Sequence, residues 1–157
     1  MSGLGAQTFY SRHWDQPSTN DWAKVLATFS LFSGISKRRL RRLVRRATIA
    51  EFFPGDTVVA MNDAAHSLYL ILSGSARASG KPAARTLRTG DYFGELGLLA
   101  GAPASATVIA TSELHVMKLP AQWFLRLAHH DPTFSLTMLR NLGAQFRRLE
   151  AQAAAQS

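Results

Sequence analysis

The stretch Tyr92-Phe93-Gly94-Glu95-Leu96-Gly97-Leu98-Leu99-Ala100-Gly101-Ala102-Pro103-Ala104-Ser105-Ala106-Thr107-Val108 decides how this 157-residue chain is read. Phe93 closes a strand-like segment that follows the turn Thr89-Gly90-Asp91. Gly94 can take backbone angles that other residues avoid. Glu95 opens a short apolar run, Leu96 to Leu99, long enough for one or two helical turns. Gly101-Ala102-Pro103 ends that run, and Ser105 to Ala110 reads as a strand. A glycine leading into a short helix leaves first-turn N–H groups pointing outward, which makes a small anion cradle. Ser105 adds a second backbone N–H and a hydroxyl. Glu95 supplies an acceptor for a sugar hydroxyl. A cradle beside an acceptor suits a phosphate joined to a ribose.

On both sides of this stretch, from Thr48 to Leu119, turn signals recur at short spacing, as in a β-sandwich or barrel. They are Phe53-Pro54-Gly55-Asp56, Met61-Asn62-Asp63, Ser73-Gly74, Ser79-Gly80-Lys81-Pro82 and Thr89-Gly90-Asp91. Helices flank the strands. One is expected to start at Asp21, capped by Thr19 or Asn20, with Trp22, Val25, Leu26 and Phe29 on its apolar face. A second is expected over Lys37 to Ala47, capped by Ser36 and turning Leu40, Leu43, Val44 and Ala47 inward. A third runs from Ala121 to His129, and Asp131-Pro132 breaks it. A last helix spans about Thr133 to Ala153, with Leu139, Leu142, Phe146, Leu149 and Ala153 at coiled-coil-like spacing. That seam packs either on its own domain or against a second copy. Residues 1–20 read as a loose arm, which Trp14 and Trp22 can pin down, and residues 21–157 as one domain.

The motif from Phe93 to Val108 resembles the phosphate-binding cassette of the cyclic nucleotide-binding domain family. That family's pattern is Phe-Gly-Glu, an apolar residue, one free position, Leu-Leu, three free positions, Pro-Arg and then a small-residue strand. Phe93, Gly94, Glu95, Leu96, Leu98, Leu99, Pro103, Ser105, Ala106, Thr107 and Val108 fit it without a gap. The family's arginine is replaced by Ala104. Leu31-Phe32-Ser33-Gly34-Ile35, Pro54-Gly55-Asp56 and Leu68-Tyr69-Leu70-Ile71-Leu72-Ser73-Gly74 resemble further landmarks, with Asn62 where a glycine is usual.

The resemblance implies a mainly β fold with flanking helices (α+β), a β jelly-roll with N-terminal helices and a long C-terminal helix. It implies a regulatory domain for cyclic AMP or cyclic GMP that signals by moving its last helix. Gly94, Glu95, Leu96, Ser105, Ala106 and Thr107 would be its ligand-binding residues, and Arg147 or Arg148 would approach the base. A protein partner and a homodimer through the last helix are expected, as is a cytoplasmic location. The alternative is a degenerate member in which Ala104 has ended cyclic nucleotide binding and function runs through protein contacts. Arg77, Arg85 and Arg88 are candidates to replace the missing charge.

Composition narrows the remaining classes. The chain carries 18 Lys and Arg against 10 Asp and Glu. Seven of those cations lie within Lys37 to Arg46, so the rest of the chain is nearly neutral. That helix presents either a solvated face or a docking patch for an anionic surface. No aromatic residues interleave its arginines, which argues against DNA. Cysteine is absent, which excludes disulfides and thiol chemistry. No H-x-H motif, nucleophile–base–acid set or Walker loop is present, so neither an enzyme nor a metal or cofactor is expected. The five histidines are expected to form no site.

Overall fold

The computed structural model describes residues 7–8, 18–80 and 84–156. Most of the expected arm, including Trp14, and the turn residues Lys81 and Pro82 lie outside the described residues.

Among the described residues nine strands run in chain order: β1 (Gln7–Thr8), β2 (Thr48–Phe52), β3 (Thr57–Val59), β4 (Ser67–Ser73), β5 (Ser75–Gly80), β6 (Arg85–Arg88), β7 (Tyr92–Phe93), β8 (Ala106–Ala110) and β9 (Leu114–Pro120). They form two antiparallel sheets, ordered β1-β2-β9-β4-β7 and β3-β8-β5-β6. The period-2 alternation of each strand makes two layers from one chain. Phe52, Ile71, Phe93, Leu114 and Val116 of the first sheet meet Ala76, Ala78, Leu87, Val108 and Ala110 of the second in one buried core. Small alanines on one side let the bulkier side chains of the other interdigitate. Gln7 and Thr8, within the expected loose arm, pair with Glu51 and Ala50 and extend the first sheet.

The opposite face of the first sheet is covered by helices: α1 (Thr19–Ala27), α2 (Lys37–Arg46), α4 (Ala121–His130) and the start of α5 (Pro132–Ala155). Leu26, Phe32, Leu40, Phe124 and Phe134 pack there on Leu68, Leu70, Met117 and Leu119. The short helix α3 (Glu95–Ala100) lies between β7 and β8. Ser18 rather than Thr19 or Asn20 caps α1, because its i, i+3 spacing to Asp21 closes a capping box. Asp131 and Pro132 end α4 and also begin α5. Asp131 caps Phe134 N–H, and proline is tolerated where a first-turn N–H has no helical partner. Asn62 does hold a left-handed turn, at φ 72°. The seam on α5 does not pack on its own domain as a unit. Leu139 and Phe146 are 64% and 62% exposed, while Phe134 and Met138 are the buried anchors. This chain's architecture is therefore an antiparallel β-sandwich with flanking helices and a long C-terminal helix.

Candidate functional site

Gly94 makes the turn from β7 into α3 at φ 94°. A Cβ there would stand 2.8 Å from the Ser67 carbonyl oxygen, so the position needs glycine both for angle and for space. The turn brings Glu95, Leu96 and Gly97 of the first turn of α3 to the wall of a hollow, and the first N–H groups of a helix are the ones its own ladder leaves open. Gly97 is also held to glycine. A Cβ would lie 2.9 Å from the Ala102 carbonyl oxygen and 3.0 Å from Ala65 Cβ.

The hollow has a cavity volume of about 70 Å³, and about 670 Å³ when the open space out to its mouth is included. Tyr69 and Phe93, stacked at 4.8 Å, form an aromatic wall. Glu95 lines it with a carboxyl only 3% exposed. Burial pushes the Glu95 pKa up, while its own backbone N–H and the charge of Arg85 pull it part-way back. A second hollow of about 1300 Å³, again out to its mouth, lies between β6 and α5. The two share Arg85, Glu95 and Gln145. Over the second hollow Asn141 Nδ2 donates to the Tyr92 hydroxyl at 3.0 Å, which ties β7 to α5. Desolvation raises the Tyr92 pKa, so its hydroxyl stays protonated. The combined site is an elongated cleft with an amide-lined polar end, a buried carboxylate in the middle and a helix-covered far end.

Of the residues expected from sequence, Gly94, Glu95, Leu96, Ser105 and Ala106 border the first hollow. Thr107 does not. Strand alternation turns it to the other face of β8, where its hydroxyl accepts from the Met61 N–H at 3.0 Å. Ala104 does line the hollow, and its backbone is pinned by Ala104 N–H to Asp63 O at 2.8 Å and Asn62 N–H to Ala104 O at 2.9 Å. Arg85 reaches the cleft, whereas Arg77 and Arg88 are exposed side chains outside it. Arg148 borders the second hollow and Arg147 does not. Sequence reasoning missed Gly97, Gln145 and the Tyr92–Asn141 pair. Only the helical spacing of Asn141 and Gln145, i and i+4, could have put the last two on one face.

His115 gathers polar neighbours on the first sheet. His115 Nδ1 lies 2.9 Å from Ser73 Oγ, and its Nε2 lies 3.4 Å from Glu51 and 4.0 Å from Glu113. Cross-strand pairing of Glu51 with His115 creates this cluster, which no local motif announces. Desolvation and the neighbouring Glu113 carboxyl raise the Glu51 pKa. The cluster sits on the first sheet, away from both hollows.

With this geometry in place, comparison with known proteins is direct. Residues 49–131 match the cyclic nucleotide-binding domain family. The chain belongs to that family. A cAMP-dependent protein kinase regulatory subunit from Hypocrea atroviridis is 45% identical over 78 residues, 49% of this chain and 17% of that protein. The chain thus spans about a sixth of that relative's length. Among solved structures, the regulatory domain of Toxoplasma gondii PKA with cAMP aligns with TM-score 0.71 at 23% identity, covering 80% of this chain and 50% of that one. The regulatory subunit of a cAMP-independent protein kinase A from Trypanosoma brucei aligns with TM-score 0.62 at 21% identity, covering 78% and 49%. The fold is thus shared with a protein solved with cAMP and with one described as cAMP-independent. Domains of this family are regulatory sensors rather than enzymes. Among the described residues no helix is long and apolar enough to cross a membrane.

Proposed function

We propose that this domain is a cyclic nucleotide sensor in which Arg85 takes over the charge that Ala104 lacks. The observation that carries this reading is the buried Glu95 carboxyl, held in the cleft between the open amides of α3 and the Arg85 side chain. A desolvated carboxyl needs donors; its own backbone N–H supplies one, and a ribose 2′-hydroxyl would supply another. Gly94, Glu95 and Leu96 on α3, with Ser105 and Ala106 on the facing loop, then surround the sugar and phosphate. The base lies toward Gln145 and Arg148 under α5. Thr107 acts indirectly, by fixing the loop at Met61. Ligand contact with α5 shifts that helix, and its exposed Leu139 and Phe146 present the change to a protein partner or a second copy of the chain.

Calorimetry with cyclic AMP and cyclic GMP tests this directly. Measurable heat in the micromolar to submillimolar range is expected, and silence at millimolar ligand would exclude a cyclic nucleotide sensor.

A second reading has its own support. The Ala104 methyl faces the hollow where the family pattern places an arginine, and losing one partner of an arginine–phosphate pair costs roughly 2–5 kcal/mol. In that degenerate form the cleft takes no cyclic nucleotide and the domain works through protein contacts. The substitution Ala104→Arg separates the two. A silent cleft that gains binding supports the degenerate reading, whereas a cleft that already binds supports the first.

A further inference from the structure

The α2 arginines are not a solvated face alone. Trp123, 77 positions later than Arg46 in the chain, stands against them. The Arg46 guanidinium lies 4.4 Å from the Trp123 ring centroid, and the Arg126 guanidinium lies 5.4 Å from the same ring. Together α2 and α4 enclose a groove of about 1590 Å³ out to its mouth. Arg39, Arg42, Arg45 and Arg46 form one wall, and Trp123 and Arg126 form the other. Leu43 and Leu127 make an apolar floor. Arg42 and Arg45 also border a smaller recess with Arg38, Arg41 and Asn20, so the cationic surface continues over the crest of α2.

Acidic groups barely answer this charge. Among the described residues, the α2 cations make one ion pair, Arg39 with Asp131 at 2.5 Å. Asp131 is also occupied by its cap on α5. A packed row of arginines repels itself, and a multivalent anion relieves that repulsion. Guanidinium groups are suited to bidentate carboxylate or phosphate contacts.

We propose that this groove docks an acidic segment of a partner protein, with carboxylates on the arginine walls and an aliphatic side chain on the Leu43–Leu127 floor. Its shape and lining favour that occupant over two others. Single-stranded nucleic acid wants free aromatic faces, but the Trp123 ring carries two guanidinium groups. A bilayer wants protruding apolar side chains, but this surface is concave and its apolar atoms lie at the bottom. The proposal is independent of what fills the β-sandwich cleft.

The test is fluorescence anisotropy of the full chain with three labelled probes: a 12-residue Glu/Leu peptide, a duplex oligonucleotide and phosphatidylserine vesicles. The peptide is expected to bind most tightly and to weaken by roughly tenfold or more when Arg42, Arg45 and Arg46 are changed to Glu together. Replacing its leucines by glycine is expected to weaken it several-fold, and added salt to weaken it further. The single variant Arg126→Glu on α4 carries the test if the triple variant does not fold. No peptide binding at low salt, binding untouched by these variants, or tighter binding of the duplex or the vesicles would each overturn the proposal.

Discussion

The two concave surfaces of this molecule use charge in opposite ways. The β-sandwich cleft holds a buried carboxyl and a neighbouring arginine, and its strength comes from desolvation. The α2–α4 groove holds many exposed arginines, and its strength comes from number. A buried charge interacts strongly and tolerates little change in geometry, whereas exposed charges are screened and individually replaceable. By that contrast the cleft suits the choice of one ligand, and the groove suits the attraction of a class of partner.

The largest break in that contrast is expected at Gly94. Gly94→Ala places a Cβ against the Ser67 carbonyl at positive φ, a strain of roughly 2–3 kcal/mol. The urea midpoint should fall and ligand binding should vanish with it; a midpoint that does not move would mean that the turn relaxes freely. Next comes Arg85→Ala. It should weaken cyclic nucleotide binding by about 10- to 100-fold, as expected for a hydrogen bond to a charged group, and an unchanged calorimetric constant would leave the phosphate to the amides alone.

Smaller effects sharpen the comparison through pH. The Glu95 pKa is raised in the folded chain, so this group favours folding at pH values below its ordinary range. That stability is lost as pH rises through the raised value. Glu95→Gln removes the buried charge and should raise the melting temperature of the unliganded protein at neutral pH by about 2–4 °C. The gain should disappear below the ordinary carboxylate pKa, and scanning calorimetry at both pH values checks it. At the other end of the scale, Arg42→Ala on the exposed groove wall should change stability by less than about 0.5 kcal/mol. A larger loss in denaturant titration would mean that the arginine row is structural.

What could be read in the sequence was local. The Gly94 turn, the α3 run and the strand after Pro103 are consecutive residues whose backbone demands show in their types, and the cradle follows from them. Asn62 in its left-handed turn was legible for the same reason. Thr107 was misplaced because strand alternation turns it to the other face of β8, where its partner Met61 stands 46 positions earlier in the chain. The Ser73–His115–Glu51 cluster depends on the pairing of β2, β4 and β9. Arg46 and Trp123 meet only because α2 and α4 pack on the same sheet. No aromatic residue interleaves the arginines along the chain, and spacing along the chain says nothing about such crossings. The cleft's far end, at Gln145 and Asn141, needed α5 to be laid across β7 before it existed.

Asp131 anchors one end of α5 by holding both Arg39 and the Phe134 N–H. With 24 residues beyond that pin, the helix is a rod of about 36 Å, so a tilt of about 10° at its foot sweeps its tip through about 6 Å. A slight adjustment where Asn141 meets Tyr92 would thus be magnified with distance, so a small event in the cleft would be read most easily at the far end of the rod.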